Sequence, residues 1–177
     1  MIEVESKARI INPERFRIKA QKIGYYKGKE RKVDDYYTLE SSHNFPKKSL
    51  RIRKKSGFYE INFKQRVSFL NGVYAKKETE FKVSDINGFI RLIHDFGFKK
   101  WLRKEKYTEL YEIKKHFNIE INHLKKLGWF VEVEYLCNEK EIKKARKEVL
   151  DVIKKLGLNK KDLVKEGYTK LLWDKKK

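Results

Sequence analysis

Strict two-residue alternation of apolar and charged side chains is the feature that most narrows the folds open to this chain. In the first nine residues Ile2, Val4 and Ala8 fall on one side of an extended backbone, while Glu3, Glu5, Lys7 and Arg9 fall on the other. Segments 36–39, 49–55, 59–67, 74–83, 101–110, 117–122 and 129–136 repeat the pattern, so seven strands or more are expected. Turn signals at Asn44 with Pro46, at Ser56-Gly57 and at Asn71-Gly72 favour antiparallel neighbours.

The remaining apolar residues recur at helical spacing. Asn12, Pro13 and Glu14 supply a cap, a first-turn proline and a first-turn acid for a helix over 13–23, with Gly24 as its stop. Ser84 is expected to cap a helix carrying Ile86, Phe89, Ile90, Ile93 and Phe96 and ending at Gly97. Asn138 with Glu141 announces another, carrying Ile142, Ala145, Val149, Ile153 and Leu156 and ending at Gly157. A further short helix is expected within 159–173, and 175–177 should fray.

At 177 residues the chain fits one domain, 1–177, and its 40% hydrophobic content can fill a core. Forty-five Lys and Arg against 25 Asp and Glu leave a net charge of +20, which attracts nucleic acid, nucleotides and other polyanions. Most of these cations alternate along strands. The run Lys143-Lys144 with Arg146-Lys147 reads as the solvated face of a helix, with a nucleic-acid contact as the minority reading. The single cysteine, Cys137, excludes an internal disulfide, and the charged start of the chain contains no signal segment, so a cytoplasmic setting is expected. No apolar run approaches the roughly 20 residues of a membrane span. His43, His94, His116 and His123 lack metal-site spacing and read as surface residues.

The faces opposite the apolar residues hold ordered ionic rows. Glu3, Glu5, Lys7 and Arg9 form one; Arg51, Arg53 and Lys55 another; Glu60, Asn62, Lys64 and Arg66 a third. Lys76, Glu78, Glu80 and Lys82 follow, then Asn118, Glu120 and Asn122, then Glu132 with Glu134. If amphipathic helices cover the apolar faces, the ionic rows converge inside a closed or nearly closed sheet with a polar lumen. Such a lumen needs charges of both signs paired with one another, with water or with a ligand. Carboxylates are hard ligands for Mg2+ or Mn2+, arginine forks grip phosphate oxygens bidentately, and lysines neutralise them as point charges. The same rows could instead be solvated outer faces joined by weak cross-strand pairs, and alternation alone does not choose between the two.

The order of these segments resembles the CYTH family, the triphosphate tunnel metalloenzymes, which include class IV adenylyl cyclases, thiamine triphosphatases and inorganic triphosphatases. Glu3-Val4-Glu5-Ser6-Lys7 is similar to the family's Glu-x-Glu-x-Lys strand, Asp34-Asp35-Tyr36-Tyr37 to its Asp-x-Tyr strand, Leu50-Arg51-Ile52-Arg53 to its Leu-Arg-x-Arg strand, and Phe63-Lys64 to its lysine strand. Lys76-Lys77-Glu78-Thr79-Glu80 resembles the basic-x-Glu segment, and Arg103-Lys104-Glu105-Lys106 the later basic strand. The Leu127-Gly128 turn leading into Glu132 and Glu134 and the closing Gly167-Tyr168 element extend the likeness across residues 2–172. Where members commonly carry an Asp, this chain has Asn122, so either Glu120 takes its place as a metal ligand or metal binds more weakly.

The resemblance implies an α+β fold: a tunnel of about eight antiparallel strands, with helices outside, binding a triphosphate with Mg2+ or Mn2+. It implies metal ligands among Glu3, Glu5, Glu78, Glu80, Glu120, Asn122, Glu132 and Glu134, and phosphate contacts from Lys7, Arg51, Arg53, Lys64, Lys76, Lys104 and Lys106, with Arg103 in reserve for a second register. Lys7 and Glu5 are the expected catalytic residues, Lys7 orienting the attacking water. The leading expectation is a metal-dependent triphosphatase acting on a triphosphate-bearing small molecule. A cyclase making cyclic AMP and pyrophosphate from ATP is the alternative within the fold, and a non-catalytic binder of nucleic acid or polyphosphate the alternative outside it. Nonspecific nucleic-acid attraction follows from the +20 charge, no membrane partner is expected, and a homodimer stays open.

Overall fold

The computed structural model describes residues 1–41, 43–55 and 57–176, with Arg66 described by its backbone alone. Ser56 of the Ser56-Gly57 turn, Lys177 and the Arg66 side chain therefore lie outside the described residues. Eight antiparallel strands close into a barrel: β1 (Ile2–Ile10), β2 (Tyr25–Thr38), β3 (Leu50–Lys54), β4 (Tyr59–Leu70), β5 (Val73–Val83), β6 (Lys99–Lys114), β7 (Phe117–Leu124) and β8 (Gly128–Cys137). Around the barrel the order is β1-β5-β4-β3-β2-β6-β7-β8, and β8 returns to pair with β1. Four helices, α1 (Pro13–Gln21), α2 (Ile86–Asp95), α3 (Ile142–Lys155) and α4 (Tyr168–Asp174), complete an α+β fold.

Alternation decides which face is which. Val4, Ala75, Ile119, Val131 and Val133 point outward beneath Ala145, Val149 and Ile153 of α3 and Phe16 and Ala20 of α1. Ile52 and Ile61 pack outward under Ile93, Ile86, Phe89 and Ile90 of α2. At one rim Tyr168 and Leu172 of α4 meet Leu102, Leu124, Leu127 and Phe130 in a third apolar cluster. With the apolar faces covered, the ionic rows have only the interior left. Among the described residues no helix is long and apolar enough to cross a membrane.

Three local expectations need correction. β2 starts at Tyr25, eleven residues before position 36, and pairs with β6 from Tyr25↔Glu112 onward. Its first half carries Lys27, Lys29, Glu30, Arg31 and Lys32 and is largely exposed, so no helix demands an apolar face there and no alternation marks it. Asp85, not Ser84, caps α2: its Oδ1 accepts from the Gly88 backbone at 2.9 Å, one residue closer to the first turn. The helix expected over 13–23 ends at Gln21 with Lys22 as its C-cap, so Gly24 lies beyond its end. It is a close-approach position, because a Cβ there would lie 2.8 Å from the Glu112 carbonyl oxygen.

The Asn71-Gly72 turn behaves as its dipeptide suggests, with both residues left-handed (φ 54° and 79°), the twist a tight hairpin needs. It also carries a tertiary contact. Ser6 Oγ donates to the Gly72 carbonyl at 2.9 Å, and a Cβ on Gly72 would meet Leu163 Cδ1 at 2.6 Å. Gly72→Ala should therefore lower stability by about 1–3 kcal/mol through left-handed strain and displacement of Leu163. Urea unfolding monitored by tryptophan fluorescence measures this, and an unchanged midpoint would contradict the packing.

Candidate active site

Inside the barrel, three carboxylates meet. Oxygens of Glu3, Glu5 and Glu134 all lie within 4.8 Å of one another. Register brings them together, because Glu5 stands directly across from Glu134 on β8, and Glu3 lies two residues along the same face of β1. Like charges directly opposite destabilise a sheet. Burial, then Lys64 acting in the other direction, then the charges of Glu5 and Glu134, leave the Glu3 carboxyl well above the usual range. Burial, with the nearby charges of Glu120, Glu5 and Glu132, raises Glu134 to about 7. Burial also opposes ionisation of Glu5, but Lys7 and Lys76 outweigh it and hold that carboxyl well below its ordinary value.

These donors suit a hard divalent cation. All three are oxygen ligands, their mutual repulsion is what a +2 ion removes, and the buried Glu3 Oε1 has no hydrogen-bond partner among the described residues. Cations border the trio. Lys64 Nζ lies 2.5 Å from Glu3 Oε2 and also contacts Glu78. Lys76 contacts Glu5 and stands 3.9 Å from Glu3. Lys7 Nζ donates to Glu5 at 3.1 Å and lies 3.5 Å from Glu132. Although burial disfavours its charge, Glu5 and Glu132 push the Lys7 ammonium above its ordinary value, so it stays protonated.

The other expected metal ligands are engaged differently. Glu120 accepts from Lys106 at 2.7 Å and from Lys32 at 2.8 Å. Glu132, opposite Lys7 in register, also lies 3.6 Å from Lys106. The Asn122 amide donates to Glu120 (3.2 Å) and Glu132 (3.1 Å), while its oxygen accepts from Thr108 at 2.8 Å. Glu78 and Glu80 each accept from Asn62, at 3.4 and 3.3 Å, and burial notwithstanding, Lys64 draws Glu78 down to about 2.

On the opposite wall Asp34 gathers the basic residues. Arg53 grips it bidentately at 2.5 and 2.9 Å, and Lys104 reaches it at 2.9 Å. Arg51 bonds Glu60 at 2.8 Å, leaving its buried Nε without a partner among the described residues. Lys104 and Lys106 face inward. Arg103 points outward to Asp35, which selects between the two registers of that strand. At the rim, Tyr168 of α4 presents its ring to Lys7, Lys104 and Lys106, whose ammonium groups stand 5.3, 5.8 and 5.7 Å from its centroid.

Sequence reasoning therefore placed every candidate phosphate-contacting cation in the lumen, with Glu60 in one of the inward rows, but missed Asp34, Lys32, Thr108 and Tyr168 as their neighbours. Parity could have found Lys32 and Asp34, which share a face with Tyr36. Tyr168 carries no such signal, since it comes from a helix docked on the rim.

The family model for the CYTH domain matches residues 1–168. The chain belongs to the CYTH family. A curated protein of Methanocaldococcus jannaschii, named "Putative adenylate cyclase MJ0240", is 26% identical over 97% of this chain and 98% of its own length. The PH1012 protein of Pyrococcus horikoshii is 28% identical with a TM-score of 0.79, covering 96% of this chain and 98% of that one. The Hippeastrum protein HpAC1, named as a putative adenylyl cyclase and described as having a dominant triphosphatase activity, has the same fold at 16% identity and a TM-score of 0.64, covering 99% and 96%. CYTH proteins are enzymes that act on triphosphates and generally need a metal.

Asp34 offers a test of the lumen's electrostatics. Burial opposes its charge, but Lys104 and Arg53 overcome that and hold its carboxyl far below the usual value of 3.8. Between the depressed folded value and 3.8 the unfolded chain binds the extra proton, so stability rises with pH across that window. The contribution is present above about pH 4 and is lost as pH falls below it. Asp34→Asn should cost about 3 kcal/mol or more at pH 7, by stranding Arg53 and Lys104. That deficit should shrink between pH 4 and pH 3. Urea unfolding of both proteins from pH 3 to 7 measures it, and a constant deficit would contradict the assignment.

Proposed function

We propose that this protein hydrolyses a triphosphate with a divalent metal, and one observation carries the proposal: Glu3, Glu5 and Glu134 converge beside Lys7, Lys64 and Lys76 inside the barrel. A Mg2+ or Mn2+ ion held by the three carboxylates would supply positive charge to phosphate oxygens. Lys64 pairs with Glu3 and Lys76 with Glu5. With these carboxylates holding an ion, the two ammonium groups would be free for phosphate, an exchange of partners that would leave no lumen charge stranded.

The remaining roles follow from place and charge. Lys64 and Lys76 lie beside the ion site and would hold the phosphates bridged there. Arg51, with an unpartnered Nε, and Arg53, Lys104 and Lys106 line the rest of the path and fix the polyphosphate chain. Lys7 stays charged and cannot take a proton. It is suited to donate a hydrogen bond that orients an attacking water, with Glu5 accepting from it. Stabilising developing charge with fixed donors is the main demand of phosphoryl transfer. The dominant triphosphatase activity described for the Hippeastrum protein supports hydrolysis. The name of the Methanocaldococcus relative supports a second reading, cyclisation of ATP.

Product analysis separates the readings. With tripolyphosphate, ATP and thiamine triphosphate in the presence of Mg2+ or Mn2+, hydrolysis should release phosphate. Cyclic AMP and pyrophosphate from ATP would favour cyclisation. Glu5→Gln and Glu134→Gln should each slow turnover about 100-fold or more while leaving the protein folded by circular dichroism. Near-normal turnover in both would sink the metal assignment.

A further inference from the structure

Outside the barrel, the groove between α3 and the β4–β5 hairpin has a charge pattern unlike the lumen's. Its volume is about 730 Å³. Lys143, Arg146, Lys147 and Lys154 line it from α3, and Lys160 and Lys161 from the turn that follows. The lining carboxylate is Asp151. In the lumen each cation discussed above meets a carboxylate. Among the described residues none of these six has an ion pair, and Arg146 bonds only the Ser68 hydroxyl, its buried Nε having no hydrogen-bond partner. Six unpaired cations around one concavity repel one another and favour an anion between them.

Shape narrows the ligand. Lys143, Arg146, Lys147 and Lys154 lie at i, i+3, i+4 and i+11 of one helix, a row about 16 Å long at 1.5 Å per residue. A row of that length suits a chain of phosphates better than one isolated anion. The floor is apolar, with Leu70, Leu150 and Ile153, and the Leu70 side chain at the hairpin tip is exposed. A ligand with anionic links and flat apolar groups satisfies both surfaces. A bilayer would meet the helix crest but could not follow a concave wall.

We propose that this groove is a second, external binding site for a single strand of nucleic acid, held by its phosphates on the α3 lysines with bases or sugars against the hairpin. The site is independent of the lumen chemistry. Because a +20 protein attracts any polyanion, the test must separate the groove from the general field.

Fluorescence anisotropy with a labelled single-stranded 12-nucleotide RNA, titrated at several salt concentrations, reads the site. Lys147→Gln with Lys154→Gln should weaken binding about tenfold and flatten the salt slope by about 1.4, the loss of two phosphate contacts on a single strand. Lys47→Gln with Lys48→Gln, an equal charge change on the exposed loop before β3, should alter affinity less than threefold. A second groove pair, Lys143→Gln with Lys160→Gln, should reproduce the first. Triphosphate turnover should be unchanged in all of them. Equal losses in groove and loop variants would overturn the proposal. So would groove-dependent binding to phosphatidylserine vesicles without binding to the RNA.

Discussion

Burying ionised side chains inside a closed sheet is the constraint on which the rest of this structure depends. A carboxylate or ammonium removed from water costs several kcal/mol even after relaxation, so it is tolerated only beside an opposite charge. Lys7 between Glu5 and Glu132, Arg53 on Asp34, and Lys106 between Glu120 and Glu132 are the consequence. Closure of the barrel makes this pairing possible, because every strand has a neighbour on each side. The helices then serve the lumen indirectly, since by covering Val4, Ile52 and Val133 they fix which face turns inward.

Who lines the lumen was legible because parity is a local property. Glu3, Glu5 and Lys7 declare their face within five residues, and the same holds for Arg51 with Arg53 and for Glu132 with Glu134. Who meets whom was not legible, because it depends on register between strands distant in sequence. Lys64 finds Glu3 across 61 positions, and Lys76 finds Glu5 across 71. Of eight expected metal ligands, register places Glu134 against Glu5 but Glu132 against Lys7, so one carboxylate joins the trio while its neighbour two residues away joins an ion pair.

The first half of β2 is polar on both faces because its outer face meets solvent, so the alternation that starts at Tyr36 was not followed back to Asp34, which collects Arg53 and Lys104 and was read only as part of a motif. Tyr168 was legible as a motif residue and not as a lumen residue. Its contact with three lysines arises from docking of α4 on the rim, an event no strand periodicity encodes.

Asn122 shows how a single amide within this scheme distributes charge. Its amide donates to both Glu120 and Glu132, which face each other in register, and its oxygen is already occupied by Thr108. An aspartate at that position could make neither donation and would add a third negative group to a buried pair, a cost that only another cation could offset. The amide bridges Glu120, which pairs with Lys106 and Lys32, to Glu132, which pairs with Lys106 and Lys7. One layer away, burial and neighbouring carboxylates push Glu3 and Glu134 upward, and no side-chain hydrogen bond joins the two among the described residues.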